Sequence, residues 1–291
     1  MSFFKTLAMA GAALSGLAGM PCVAAAQTVG GGSVAQPAGA VSGPTYADLA
    51  TLSDAAELVL RVQIRKATAL KADRAPGLAA GFARLYVEAN TLALIAGRSG
   101  VGAAVTYVVD VPLDAKGKVP KMKKREVVVF ARGVPGKPGA LQLIGPAAQL
   151  DYTPALEARL RPILTELYAA DAAPRITGVS DALAVLGTLT GESETQIFLA
   201  TENRSPVSIT VLRRPGQRVQ WGVSWGEIID SAARPPAPET LRWYRLACAL
   251  PPQLPSNANL AREADERRLA AGDYAFVRQA LGPCERRITQ G

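Results

Sequence analysis

An α+β, β-rich fold is predicted from three features of the chain: five alternating apolar runs between residues 58 and 144, a helical apolar stripe at 153–170, and a shorter set of alternating runs at 194–225. The first five runs are expected to form an antiparallel sheet. It either curls into a small barrel, OB-like at best, or stays open with a helix on one face. Six parts are expected: a signal peptide (1–26), a flexible linker (27–44), an N-terminal β-rich domain (45–150), a connecting helix (151–173), a second, smaller antiparallel β region (174–231) and a helical tail held by a disulfide (232–291).

MSFFK supplies one positive charge, Thr6 to Met20 is uncharged and rich in Ala, Gly and Leu, and Ala24-Ala25-Ala26 offers the small residues a signal peptidase reads. Export with cleavage before Gln27 is expected, placing the mature protein in the periplasm or outside the cell. The alternatives are an uncleaved anchor over Thr6 to Ala26 and lipidation at Cys22, where Pro21 occupies a position that favours a small residue. The tract QTVGGGSVAQPAGAVSGP is a Gly/Ser/Pro/Ala tether with a reach of roughly 20–25 Å.

Thr45 and Asp48 stand in capping-box spacing before a short helix. Leu58, Leu60, Val62 and Ile64 then alternate with Val59, Arg61, Gln63 and Arg65, the pattern of a half-buried strand. Further strands are expected at Ala83–Ile95, Ala103–Val111, Glu126–Arg132 and Leu141–Ile144, with Asp114–Pro120 as a hairpin tip. In the helix at 153–170, Leu156, Leu160, Ile163, Leu164 and Leu167 share a stripe, and Pro162 is expected to kink or split it. Ser180 is expected to cap a brief apolar segment reaching Leu186. Strands follow at Glu194–Thr201, Val207–Arg213 and Arg218–Trp225, with Arg214-Pro215-Gly216-Gln217 as a type II turn. The tail reads as a helix at Glu239–Ala249 and two polar helices at Leu260–Ala271 and Asp273–Leu281.

The formal charge is +8, or +7 once Lys5 leaves with the signal peptide, which favours anionic surroundings. No histidine occurs anywhere, so His-dependent triads, His-ligated zinc and imidazole pH switches are excluded. Beyond Cys22 the chain has Cys248 and Cys284, which in an oxidising compartment pair most simply with each other; closing that loop of about 37 residues is worth roughly 4 kcal/mol in the chain-entropy model. No cofactor or metal site is expected.

Three stretches invite a functional reading. Gly222-Val223-Ser224-Trp225-Gly226 spells a nucleophile elbow, but a Ser-His pair is impossible, and alternation continues through the motif. Ser224 therefore remains an outside candidate that would need a lysine as its base. Trp221 and Trp225 fall on one strand face, either in the core of the second sheet or as a stacking platform. In the core reading, the bare Gly222/Ser224 face receives a helix or loop such as 239–249. Lys116, Lys118, Lys121, Lys123, Lys124 and Arg125 crowd ten residues around the expected hairpin. They form either a solvated tip or a salt-sensitive contact for an anionic envelope polymer, a lipid headgroup or an acidic protein; nucleic acid is not expected, because interleaved aromatics are absent. The expected role is non-enzymatic binding or scaffolding in the bacterial envelope. The alternatives are a hydrolase or transferase using carboxylates or Ser224 with a lysine, and a structural assembly subunit.

Overall fold

The first sheet is built from Leu58–Ala69 (β1), Phe82–Gly97 (β2), Ala104–Pro112 (β3), Glu126–Gly133 (β4), Leu141–Leu143 (β5) and Gln149–Asp151 (β6), in the order β3-β2-β1-β4-β5 with β6 also on β4. A computed structural model describes residues 43–228 and 233–289; the expected signal peptide, Cys22 and the linker up to residue 42 lie outside the described residues. Residues on β5 and β6 pair with successive parts of β4, so the two act as one strand interrupted around Gly145-Pro146. Phe130 bridges the gap by donating from its N–H to the Ala148 carbonyl and accepting from the Ile144 N–H.

The sheet curls until its edges meet. Thr106 on β3 forms a parallel bridge with Ala140 beside β5, its N–H donating to the Gly139 carbonyl at 2.8 Å. The result is a five-stranded, partly open barrel, the closed alternative of the expected fold. Period-two patterning fills its interior: Leu60, Val62 and Ile64 from β1, Leu85 and Val87 from β2, Tyr107 and Val109 from β3, Val127 and Val129 from β4. The Tyr107 hydroxyl finds a partner in Gln149 Oε1 at 2.7 Å.

β3 and β4 are not neighbours, which corrects the expected hairpin at 114–120. One side of β4 is taken by β1 and the other by β5 and β6, while β3 lies on β2. Residues 113–125 therefore cross the barrel end. Within this crossing the expected turn does form: Asp114 N–H donates to the Lys118 carbonyl, and Asp114 Oδ1 accepts from the Lys116 and Lys118 N–H groups.

The second sheet runs β10-β9-β8-β7, from Gln220–Ser224, Val207–Arg213, Ser193–Thr201 and Ile176–Leu186. The segment after Ser180 is thus a strand, a second correction. Ala182 and Ala184 point inward while Leu183 and Val185 stay exposed, so an edge strand that is apolar on both faces imitates an apolar helical segment. The β9–β10 turn forms as expected, with Gly216 at φ 71° and Gln217 N–H donating to the Arg214 carbonyl.

Helices Tyr46–Ala55 (α1), Pro154–Leu167 (α2), Leu241–Ala247 (α3) and Ala264–Leu281 (α4) complete the fold. Thr153 caps α2, and its buried face is Leu156, Leu160, Ile163 and Leu164. Pro162 does not split α2. It sits on the exposed side above exposed Ala158, whose carbonyl, left without an intrahelical donor, can face water. The two expected polar helices are one, α4, continuous through Gly272. Buried Tyr274, Val277 and Leu281 hold it, and packing of that face outweighs the ~1 kcal/mol a mid-helix glycine costs.

One core joins the parts. Val59, Val128 and Phe130 from the barrel's outer wall share it with Leu160 and Ile163 of α2, Ile197 and Ile209 of the second sheet, Leu246 of α3 and Val277 of α4. Cys248 and Cys284 are bonded, fastening the end of α3 to the chain after α4. Near the opposite edge of the second sheet, a Cβ on Gly222 would lie 2.2 Å from the Ala233 carbonyl oxygen. Gly222→Ala should therefore lower stability by about 1–3 kcal/mol in urea denaturation, because backbone rather than a movable side chain must yield.

Candidate functional site

The barrel end reached by the C-termini of β1 and β3 and the N-termini of β2 and β4 gathers the strongest charge. Met122 is buried in the barrel interior and anchors the crossing loop there, while Lys121, Lys123 and Lys124 beside it are exposed. Lys124 takes a left-handed conformation, φ 70°, and its N–H donates to the Ile64 carbonyl at 2.7 Å. Ile64 N–H in turn donates to the Arg125 carbonyl, stitching the loop onto β1. Arg125 differs from the lysines: its guanidinium donates to Asp151 at 2.5 Å and to Met122 Sδ, which ties the loop to β6.

The fold adds cations that sequence spacing could not place there. Leu113 N–H donates to the Gly81 carbonyl, and Leu70 N–H to the Arg84 carbonyl, bringing the β1–β2 connection with Lys71 and Arg74 to the same end as Lys116 and Lys118. Lys71, Arg74, Lys116, Lys118, Lys121, Lys123 and Lys124 are all exposed, and among the described residues none has an ion-pair partner within 4.0 Å. Nearby Lys66 and Arg65 share Glu88. Lys71 and Arg74 are some 45 residues from the lysine run, and strand order alone unites them; a period-two reading of the strands predicts neither.

Trp221 and Trp225 are half-buried against the shared core and border adjoining cavities that have Ala233, Arg234 and Pro235 in common. Trp225 lies under the Arg242 guanidinium at 5.7 Å, and Trp221 shares its cavity with Phe276. Trp225 falls one residue past the end of β10, which stops short of the expected Arg218–Trp225 strand. The bare face receives Ala233 of the 233–240 loop instead of α3. Trp243 is the deeply buried tryptophan, its indole N–H donating to the Leu281 carbonyl at 2.8 Å.

Ser224 ends β10 opposite Ser208 and is 4% exposed. Residues 225–228 directly after it are irregular, and among the described residues the next helix begins at Leu241, so the strand-to-helix turn of a nucleophile elbow is not formed at Ser224. The cavity beside Ser224, about 740 Å³, includes Glu166, Asp171, Arg234 and Arg242 in its lining and no lysine among the described residues. Glu166 is turned to structure: its Oε2 accepts from the Leu241 N–H at the start of α3. Among the described residues no group of three or more His, Cys, Asp or Glu is placed to hold a metal, and no helix is long and apolar enough to cross a membrane.

Compared with protein-family models and with curated protein sequences, the chain matches none.

Proposed function

We propose that this chain is an exported, non-enzymatic binding protein of the bacterial envelope that engages an anionic partner through the basic end of its barrel. The convergence of two separate loops carries the reading: the stretches 70–81 and 113–125 hold seven exposed cations without ion-pair partners among the described residues and two carboxylates of their own, Asp73 and Asp114, of which Asp114 is already hydrogen-bonded within its own turn. Such a surface raises the local concentration of anions and weakens with ionic strength, since free charges are screened over about 10 Å at 0.1 M salt. The buried Met122 and the Arg125–Asp151 pair hold the loop in place. A cation that no intramolecular carboxylate neutralises leaves its favourable pairing to a partner. The signal-peptide pattern supplies the compartment.

Co-sedimentation with isolated envelope fragments tests this. The purified protein should pellet at low salt and be released by raised salt, and Lys121→Gln/Lys123→Gln/Lys124→Gln should remain in the supernatant. At about 1 kcal/mol for each lysine facing an anionic surface, the loss is on the order of 100-fold in affinity. Equal pelleting of the variant would refute the role given to this end.

A further inference from the structure

We propose that the outer face of the β2–β3 ribbon, with the β4–β5 connection as its far rim, is a groove that binds an acidic glycan. This rests on the anionic-partner reading and names the partner's chemistry. The groove has a volume of about 550 Å³. Arg84 opposite Asp110, Tyr86 opposite Val108, and Thr106 line its floor, and the same face runs on beyond the groove to the Phe82–Pro112 pair at one end and to Glu88 at the other, a strip of roughly 20 Å at ~3.4 Å per residue. Apolar and polar pairs therefore alternate along one face.

The polar pair is rigid. Arg84 Nε and Nη2 donate to the two Asp110 oxygens at 2.7 and 2.8 Å, while Nη1 donates to the Pro76 carbonyl at 3.0 Å. Each carboxylate oxygen keeps acceptor capacity for a hydroxyl, and Asp110 stays ionised because Arg84 holds it below the usual carboxylate range. Beside the pair, Tyr86 is 40% and Val108 42% exposed, an apolar step next to fixed acceptors. Lys137 and Gln142 face them from the other rim. A saccharide ring has a C–H face for the first and edge hydroxyls for the second, and its acid groups suit Lys137.

The Phe82 end of the strip opens onto the basic barrel end, because the Leu113–Gly81 hydrogen bond sets the crossing loop beside it. A polymer leaving the groove there meets the lysines. The rival occupants fit less well. A lipid surface would meet the convex loops and leave the concave side wall empty. A nucleic-acid backbone would pass its closely spaced phosphates over the Asp110 carboxylate, which repels them.

The test compares binding to polygalacturonate, to polyglutamate of matched charge, to poly-dT and to phosphatidylglycerol vesicles. Wild type should favour polygalacturonate by roughly tenfold. Tyr86→Ala should lose that preference while binding polyglutamate as before, and Tyr86→Phe should keep it; melting curves confirm that both variants are folded. The triple lysine variant should weaken on all the polyanions. Undiminished polygalacturonate binding by Tyr86→Ala overturns the groove and leaves the basic end standing, as does a wild type that binds polyglutamate, poly-dT or vesicles equally or better. A wild type that binds none of the four overturns both.

Discussion

Replacing Arg245 with alanine is expected to cost about 3–4 kcal/mol of stability, because it removes a buried guanidinium with its two charged hydrogen bonds and leaves the partly buried Asp54 to Arg175 alone. Arg245, 7% exposed, donates from Nη1 and Nη2 to both oxygens of Asp54 at 2.7 and 2.9 Å, and from Nε to the Ala173 carbonyl at 3.1 Å. Arg175 reaches the same Asp54 from the start of β7 and continues to Glu202. The cluster thus ties the end of α1 to α3 and to the second sheet. Burial pushes the Asp54 carboxyl up, but the hydrogen bonds and charges of Arg245 and then Arg175 outweigh it and hold it below the ordinary carboxylate range. With its folded-state pKa depressed, the group contributes fully above the unfolded pKa of about 4, and the contribution is lost as pH falls. Urea denaturation of Arg245→Ala at neutral pH is the check. The double variant Arg245→Leu/Asp54→Leu should lose less than Arg245→Ala, since it fills the space with apolar side chains and leaves the half-exposed Arg175 its pair with Glu202; a single variant within 1 kcal/mol of wild type would contradict the assignment.

Asp48→Asn should be nearly as damaging, at about 3 kcal/mol or more. This carboxylate has no exposed surface and accepts from the Thr45 N–H and hydroxyl at the start of α1, from the Arg287, Ile288 and Thr289 N–H groups, and from the Thr289 hydroxyl. An amide offers one acceptor oxygen where two are used, and turns its NH₂ toward groups that already donate. Although burial raises its pKa, the hydrogen bonds from Thr45, Thr289 and Arg287 prevail and place the group far below the usual range. Its stabilisation is therefore complete above about pH 4 and fades below it. Asp48→Asn should flatten the acid limb of the stability–pH curve. Hydrogen exchange at Arg287, Ile288 and Thr289 should rise sharply; unchanged protection there would contradict the role of Asp48.

These two sites show where the sequence is legible and where it stops being so. The capping-box spacing of Thr45 and Asp48 predicts the start of α1, and the box forms. That the same carboxylate also fastens residues 287–289 is invisible at a separation of some 240 positions. Alternation locates β1 to β5 to within a few residues, because each has one wall in the barrel and one outside. It fails for β7, an edge strand with apolar residues on both faces, and for the crossing loop, whose turn looks like a hairpin tip when strand order is unknown. The lysine run is legible as charge, yet Lys71, Arg74 and the Arg84–Asp110–Tyr86 strip join it through register alone. Cys248 and Cys284 pair as the compartment argument expects. Ser224 needed the fold as well as the missing histidine: strand pairing with β9 and burial take the serine out of the geometry its motif suggests.

The central claim is that the basic barrel end is a binding surface rather than a solvated one. Its most direct test is a titration of purified protein against immobilised polyglutamate over a series of salt concentrations, with wild type beside Lys121→Gln/Lys123→Gln/Lys124→Gln. Wild type should bind at low salt and weaken steeply as salt rises, and the variant should bind on the order of 100-fold more weakly at the lowest salt with a shallower dependence. Superimposable titrations of the two proteins would contradict it.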